Sequence, residues 1–398
     1  MRVSNDTLRS AFLAALESAQ RRVIDTQEKV SSGKRVNKPS DDPVAAARIA
    51  HLDASLSRLD QYKSNSDFAR NQLGLEESSL DDVISNLQRV RELALQGNNS
   101  TASDSDRRDI AAEVRQARDA LLALANTTDV DGRHLFGGYI ESAAPFTPTA
   151  SGVVVYNGDQ GQRTIQISDS RFVAINDSGS AVFQNIPQGN GTFTLAANPA
   201  NTGTGVLGDS SVTNPAAWVR DTYTVRFLTP ATYEVRDSAN ALVSSGTFTA
   251  GQAIAFRGIA LSVDGNPAAG DTFTAAPAAT RDVFGMLDDM IAALESSSTN
   301  GAQGAQLHSN IGQRISDLDS ALSHVIDARG EIGARVRALD QQDSLSADFA
   351  VHLNTTLSSV RDLDYADALS KLQKQLFGLD AAQQTFARTQ DLSLFKYI

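Results

Sequence analysis

The carboxyl-terminal third of the chain carries apolar residues at alternating spacings of four and three, the pattern of a long amphipathic helix that packs along others. One register contains Ile311, Ile315, Leu318, Leu322, Val325, Ile332, Val336, Leu339, Ala350, Leu353, Leu357 and Val360. Arg329, Asp343 and Ser346 interrupt this register, and we expect these polar positions to weaken the helical seam locally and to fix its alignment. The pattern predicts a long helix, so the chain must be built around extended helical packing.

The first third of the chain repeats a similar pattern every seven residues. The repeating positions are Leu52, Leu59, Ser66, Leu73, Leu80, Leu87 and Ala94. Asp42 can cap the amides of a new helix and proline is tolerated at the first helical position, so we predict a helix from Pro43 to the break at Gly97. A cap at Ser103 or Asp104 then predicts a shorter helix that folds back on the long one. Its apolar positions are Ile110, Val114, Ala117, Leu121 and Leu124.

Apolar spacing typical of helices returns at about residue 280. Thr280 and Asp282 are candidate caps for a short helix that precedes the long carboxyl-terminal one. Its apolar positions are Phe284, Leu287, Ile291 and Leu294. Helical material therefore flanks the middle of the chain on both sides.

The middle, from about Leu135 to Pro277, is rich in Gly, Thr and Val and has short runs typical of β-strands. These runs are 153–156, 164–167, 223–227 and 247–249. Residues 176–201 and 202–214 are rich in Gly, Asn, Ser and Ala, so we expect loops there with little to bury. The middle is predicted to be antiparallel β structure.

These patterns together predict an α+β fold. We expect an elongated, coiled-coil-like antiparallel helical rod formed by both terminal regions, with an inserted antiparallel β domain. The predicted divisions are terminal helices in 1–42 and 362–398, a helical rod domain with a β hairpin in 43–170 and 278–361, and an outer β-rich domain in 171–277.

Each end of the chain is an amphipathic helix with no obvious local partner. One stripe contains Leu8, Phe12, Ala15, Ala19 and Thr26, and the other contains Tyr365, Leu369, Leu372, Leu376, Leu379 and Phe386. Isolated helices of this length are marginal in water. We therefore expect the ends to be disordered in the monomer, to order by pairing with each other, and to bury their remaining apolar residues against neighbouring subunits.

Composition argues against several classes of function. The net charge of -12 and the lack of a clustered basic face disfavour a nucleic-acid partner. The absence of cysteine excludes thiolate chemistry, and the five histidines lack metal-ligand spacing, so we expect no cofactor, no metal and solvated helical histidines. Asp129–Gly132 is predicted to be a turn rather than a calcium loop. No nucleophile–base pair is recognisable, and we expect a protein that is not an enzyme.

The amino terminus also lacks a secretory signal, because Asp6, Arg9, Glu17 and Arg21 interrupt any apolar run. No stretch is long and apolar enough to predict membrane insertion. If the protein leaves the cytoplasm, we expect export without a cleavable signal peptide.

Three stretches resemble the flagellin superfamily, in the version found in its hook-associated proteins. Residues 30–46, VSSGKRVNKPSDDPVAA, resemble the amino-terminal motif, with Ser32, Gly33, Lys34, Arg35, Asp41, Asp42 and Pro43 as its interdomain loop. Residues 131–139, DGRHLFGGY, resemble the junction from helical core to β hairpin. Residues 364–368, DYADA, and 392–395, LSLF, resemble the carboxyl-terminal helix, which adds Leu392 and Leu394 to the assembly positions.

The resemblance implies an extracellular structural subunit at the hook–filament junction of the bacterial flagellum. Its implied partners are further copies of the chain in a ring, the first hook-associated junction protein, flagellin, and a chaperone of flagellar type III export. It also implies that the terminal helices form an inner tube, with the long helices around it and the β insert outside.

Two alternative functions remain at this point. A filament flagellin would polymerise alone into long filaments, whereas a junction subunit would stop at short assemblies. A secreted coiled-coil binding module would instead have a ligand pocket or sugar affinity in the β insert.

Overall fold

A computed structural model of the chain describes residues 5–391, and the long helices within this range follow the apolar repeats. The α-helices are Asn5–Ser32 (α1), Pro43–Gly97 (α2), Asp104–Ala125 (α3), Gly179–Phe183 (α4), Val283–Glu295 (α5), Gly301–Arg361 (α6) and Tyr365–Asp391 (α7). The predicted helices that begin at Pro43, after Ser103 and after Asp282 are confirmed, and α6 is the long carboxyl-terminal helix.

Side-chain caps explain where these helices begin. Ser103 Oγ accepts a hydrogen bond from the Asp106 amide at 3.2 Å, and the Asp106 carboxylate accepts one from the Ser103 amide at 2.9 Å. This reciprocal arrangement supplies partners for amides at a helix start that have none within the helix. Asp282 caps α5 through a single bond, in which its Oδ1 atom accepts from the Gly285 amide at 2.8 Å.

The helices α2 and α6 run antiparallel. Ion pairs join them, and as the residue number on α2 increases, the number of its partner on α6 decreases. These pairs are Arg70–Asp340 at 3.0 Å, Asp81–Arg329 at 2.5 Å and Arg91–Asp319 at 2.5 Å. Hydrogen bonds from Ser79 to Leu124 and from Asn86 to Ala117 place α3 antiparallel to α2. The heptad residues Leu73, Leu80 and Leu87 are fully buried. The predicted antiparallel helical packing is confirmed.

The β structure lies between α3 and α5 and is antiparallel throughout the described strand pairs. The strands are Phe146–Pro148 (β1), Val154–Tyr156 (β2), Thr164–Gln166 (β3), Phe172–Ala174 (β4), Ile186–Pro187 (β5), Phe193–Ala197 (β6), Val206–Val212 (β7), Tyr223–Thr229 (β8), Thr232–Arg236 (β9), Leu242–Thr247 (β10), Ala253–Phe256 (β11), Ile259–Asp264 (β12), Thr272–Pro277 (β13) and Thr280–Arg281 (β14). The larger sheets have the orders β10-β9-β8-β13-β6 and β11-β12-β7, and the pairs β1-β2, β3-β4 and β14-β5 stand alone.

The prediction of loops over 176–201 and 202–214 was wrong. This region contains α4, β5, β6 and β7, and it buries large side chains such as Phe183, Ile186 and Phe193. In β6 the buried residues Phe193, Leu195 and Ala197 alternate with Thr194 and Ala196, which is the period of a half-buried strand. The composition did not indicate a strand here, because small and polar residues surround the three buried ones.

The predicted strand over 247–249 was wrong in its last two residues. Strand β10 ends at Thr247. The Phe248 amide donates to the Ala231 carbonyl at 2.8 Å, and its ring meets the Phe227 ring edge-on at 4.9 Å between centroids. Phe248 therefore lies just after β10 and packs against the core of the larger sheets.

Two separate apolar cores hold these elements. The first contains residues of α2, α3, α5, α6 and the small hairpins, and centres on four aromatic rings, Phe136, Phe146, Phe183 and Phe284. Phe136 comes from the predicted junction motif, and its ring lies 5.1 Å from that of Phe183. The second core is formed by the two larger sheets and includes Tyr223, Phe227, Ile259 and Phe273.

The chain divides into two compact units. One consists of Met1–Ser64 and Gln341–Ile398, and the other is Asn65–Asp340. The first unit contains α1, α7 and the adjoining ends of α2 and α6, and the second contains both cores and all described strands.

Candidate functional site: a helix crossover and a terminal helix pair

Four helix ends meet where the chain passes from α1 to α2 and from α6 to α7. We call residues 33–42 and 361–364 the crossover. The Arg35 amide donates to the Arg361 carbonyl at 2.7 Å, and the Leu363 amide donates to the Gly33 carbonyl at 2.9 Å. The two connections therefore form a short antiparallel bridge at Lys34 and Asp362, which fixes the helix ends to each other.

Arg35 ties three parts of the crossover together. Its Nε and Nη2 atoms donate to the Val360 carbonyl at 3.2 and 2.8 Å, and its Nη1 atom lies 3.4 Å from Asp42 Oδ2. The last carbonyls of a helix lack partners within the helix, so the guanidinium group caps the end of α6. The same side chain reaches the residue that starts α2.

The adjacent acids organise the start of α2. Asp42 Oδ1 accepts from the Ala45 amide at 3.0 Å, which confirms Asp42 as the cap before Pro43. Asp41 Oδ2 accepts from the amides of Lys38 and Asn37 at 3.1 and 3.0 Å. These amide bonds lower the pKa of Asp41, because they favour its charged form.

Gly33 occupies a backbone conformation that other residues adopt at a cost. Its φ is +69°, and a Cβ atom built there would lie 2.7 Å from Tyr365 Oη. Ser32 Oγ next to it donates to Asn37 Oδ1 at 2.8 Å and accepts from the Lys34 amide at 3.3 Å. The loop motif is thus an ordered connection in which five residues each have a defined structural role: Ser32, Gly33, Arg35, Asp41 and Asp42.

The two terminal helices pack against each other as an antiparallel pair. The Phe12 and Phe386 rings lie 6.3 Å apart at one end, and Gly33 lies against Tyr365 at the other. The expectation that the chain ends pair with each other is confirmed over the described residues. Leu8 lies outside the described side chains, and Leu392 and Leu394 lie outside the described residues altogether.

The predicted assembly residues divide into two groups by exposure. Phe12, Leu372, Leu379 and Phe386 are partly buried in the pair. Tyr365, Leu369 and Leu376 remain 51%, 46% and 47% exposed. The pair therefore leaves part of its apolar surface uncovered.

Sequence reasoning missed several residues of this pair. On α1 the packed face passes through Leu16 and Val23, whereas Ala15, predicted to lie on it, is exposed. Phe377, which no heptad register selects, is 78% exposed. A large aromatic residue beside a heptad position was the available signal.

Comparison with known proteins identifies the family. A family model described as the bacterial flagellin N-terminal helical region matches residues 3–141. A crystal structure of Xanthomonas campestris FlgL is 40% identical, covering 77% of this chain and 99% of that chain with a TM-score of 0.70. The chain belongs to the FlgL family.

Other FlgL-family members support the same assignment along the chain. The flagellar junction protein FlgL from Legionella pneumophila is 32% identical, covering 79% of this chain and 100% of that chain with a TM-score of 0.73. Flagellar hook-associated protein 3 of Salmonella typhimurium is 26% identical over 100% of this chain and 99% of its own length. The predicted flagellin-superfamily resemblance and α+β fold class are confirmed.

The histidines of this FlgL-family chain have structural roles that sequence did not predict. The expectation of solvated helical positions was wrong for His134, whereas His308 and His324 lie on α6 as expected and are partly buried. His134 lies in a loop with Nδ1 2.9 Å from the Asn126 carbonyl, and His324 Nε2 lies 2.7 Å from the Ala181 carbonyl. His308 Nδ1 lies 2.9 Å from Asn98 Oδ1. Burial, followed by the nearby Arg107, lowers the pKa of His308.

The remaining motifs have simple explanations. The Gly132 amide donates to the Asp129 carbonyl at 3.0 Å, which confirms a turn at Asp129–Gly132. Among the described residues, no group of three or more histidine and carboxylate side chains could hold a metal ion. None of the helices described between residues 5 and 391 is long and apolar enough to cross a membrane.

Proposed function

We propose that this chain is the structural subunit that joins hook and filament in the bacterial flagellum. The observation that carries the proposal is its FlgL-family membership, since two relatives matched over 99–100% of their own length are named a flagellar junction protein and a flagellar hook-associated protein. The site supports the same function, because it consists of helix packing and capping contacts and offers an apolar face to further subunits.

The proposal includes specific partners and a location outside the cell. Copies of the chain form a ring, with the first hook-associated junction protein on one side and flagellin on the other. A flagellar type III chaperone delivers the chain for export without cleavage of a signal peptide. The role needs no enzymatic activity, cofactor, nucleic acid or membrane insertion.

The terminal helix pair is the surface that we assign to assembly. Leu369, Leu376 and Phe377 leave apolar area exposed, and burying such a side chain fully contributes about 1.5–3 kcal/mol. Association costs on the order of 4–15 kcal/mol, so one contact of this kind does not hold two subunits. A ring in which each copy uses this surface towards two neighbours supplies several contacts at once.

The domain roles predicted from sequence belong to the same proposal. Residues 1–42 and 362–398 form the inner tube, 43–170 and 278–361 form the surrounding rods, and 171–277 lie outside. The crossover supports this division, because the bond from Arg35 to Val360 and the cap at Asp42 fix the inner helices to the ends of the rods.

A double substitution tests the assembly surface. Leu376→Asp with Phe377→Asp places two charges where side chains are 47% and 78% exposed, so the monomer should keep its fold. We expect the variant to be exported and to leave hooks without filaments in a strain that lacks the native gene. Gln373→Asp, at an exposed polar position of the same helix, is the matched control and should restore filaments. Normal filaments with the double variant would falsify the assembly role.

A further inference from the structure

A buried carboxyl group on α2 has an incomplete set of partners. Glu76 is 1% exposed. Its Oε1 atom accepts a hydrogen bond from the Asp177 amide at 2.9 Å, and its Oε2 atom is buried with no hydrogen-bond partner among the described residues. A buried carboxylate without a compensating charge is costly, whereas the neutral acid costs far less.

The positive charges around Glu76 are already engaged. The Arg335 guanidinium of α6 forms two bonds with the Asp177 carboxylate, at 2.8 and 2.9 Å, and also lies 3.5 Å from exposed Glu331. Gln162 Nε2 donates a third bond to Asp177, at 2.7 Å.

The other nearby cation comes from the β3 side. Arg163 pairs with Glu141. Glu141 also lies 3.9 Å from Arg133, which pairs with Asp131 at 2.6 Å. The three arginines are therefore matched by the carboxylates of Asp177, Glu141 and Asp131, and the Glu331 side chain is exposed. An ionised Glu76 would be an uncompensated negative charge beside Asp177.

We propose that Glu76 keeps its proton in the folded chain and that its ionisation opens the contact between α2 and residues 176–178, which makes this contact a proton-dependent latch. The protonation state is consistent with the surroundings. Burial first, and repulsion from Asp177 second, raise the pKa of Glu76 to about 8.

Residues 176–178 are the natural moving part of the latch, because they connect several elements. Asn176 accepts from the Arg163 amide at 2.7 Å and donates to the Gly138 carbonyl at 3.1 Å. Ser178 caps α4, whose first residue Gly179 donates to the Phe136 carbonyl at 2.8 Å. Loss of the bond from Asp177 to Glu76 would free the side of this segment that faces α2.

The proposal fixes the sign of a pH dependence. A carboxyl whose pKa is raised on folding stabilises the folded state fully below its ordinary pKa of 4.5, and this contribution is lost as pH rises to about 8. Between these limits the folding equilibrium constant should fall by about tenfold per pH unit through this one group. Above about pH 8 the effect should level off.

Glu76→Gln tests this, because glutamine has the same shape and cannot ionise. Urea unfolding at a series of pH values between about 5 and 9 gives the ratio of folding constants, variant over native. We expect this ratio to rise by up to about tenfold per pH unit as far as pH 8 and then to stay constant. Glu77→Gln removes an exposed acid one residue along α2 and should follow the native protein at every pH. A Glu76→Gln ratio that is constant from pH 5 to 9 would overturn the proposal.

Two measurements on the native chain keep the test independent of the variant's folding. Difference infrared spectroscopy should detect a buried protonated carboxyl at neutral pH that disappears with a midpoint near pH 8; absence of this signal at neutral pH contradicts the latch. Amide hydrogen exchange of residues 177–181, compared with Glu77→Gln and Glu76→Gln at the same pH, should accelerate above pH 8 only where Glu76 is present. Equal acceleration in all three proteins would mean that ionisation of Glu76 does not open the segment.

Discussion

Gly33→Ala tests the geometry of the crossover by adding a single methyl group. A residue other than glycine in the left-handed region costs about 1–2 kcal/mol, and the reduced entropy of the unfolded chain offsets about 0.4–1 kcal/mol of this. The new Cβ atom would lie 2.7 Å from Tyr365 Oη, so the tyrosine must also leave its position. An off-rotamer side chain costs about 0.5–1.5 kcal/mol. We expect a total destabilisation of about 0.5–3 kcal/mol, confined to the crossover.

Tyr365→Phe separates the two causes. It removes the clashing oxygen, and the next atom in the way, the ring Cζ carbon, lies 3.7 Å from the built Cβ position, which is an ordinary contact. Gly33→Ala should therefore cost about 0.5–1.5 kcal/mol less in the Tyr365→Phe background than in the native chain.

Hydrogen exchange of the Arg35 and Leu363 amides is the assay, because both bridge the crossover. A local loss of about 0.5–3 kcal/mol should accelerate their exchange by about 2- to 150-fold. Amides in the core around Leu80 should exchange at unchanged rates and serve as the internal control. An equal cost in both backgrounds would refute the close approach of Gly33 to Tyr365, and unchanged exchange in both would refute the left-handed backbone as well.

Three further predictions concern helices of the Asn65–Asp340 unit and can be measured by urea unfolding. Leu73→Ala, at a fully buried heptad position, should lower the free energy of unfolding by about 2–5 kcal/mol, whereas Leu75→Ala, 42% exposed on the same helix, should cost clearly less. Equal costs would contradict the assigned helix face. Ser103→Ala should cost about 0.5–2 kcal/mol through loss of the capping box, and an unchanged midpoint would argue against that cap. Because folding lowers the pKa of His308, the neutral imidazole stabilises the folded chain above pH 6.5, the ordinary pKa of histidine, and this contribution is lost as pH falls. The native chain should therefore lose stability relative to His308→Gln on acidification. A parallel pH response of the two proteins contradicts this assignment.

The helices could be predicted from sequence because their signals are local. Periodic leucines, the cap at Asp42 and the capping box at Ser103 all lie within a few residues of the structure that they specify. Strand β6 escaped prediction because its alternation contains only three buried residues among alanine and threonine. Its partner strand β13 is about 80 residues away in the chain, so the pairing that stabilises it has no local signal.

The candidate site shows the same limit. The loop motif could be recognised, but the bond from Arg35 to Val360 joins residues 325 positions apart, and no pattern in either segment predicts it. Glu76 illustrates a second limit, because an acidic residue on a heptad helix looks solvated until the segment between β4 and α4 covers it at Asp177. Residues that depend on contacts between distant segments were the ones that sequence reasoning missed.

The central claim is that this chain joins hook and filament, and deletion of its gene tests that claim most directly. Electron microscopy of the deletion strain shows whether hooks and filaments are present. Measurement of flagellin in the medium shows whether it was exported without being assembled. The account predicts intact hooks that lack filaments, flagellin lost to the medium, and recovery of filaments when the gene is restored. Full-length filaments on the deletion strain, with no flagellin lost to the medium, would contradict it.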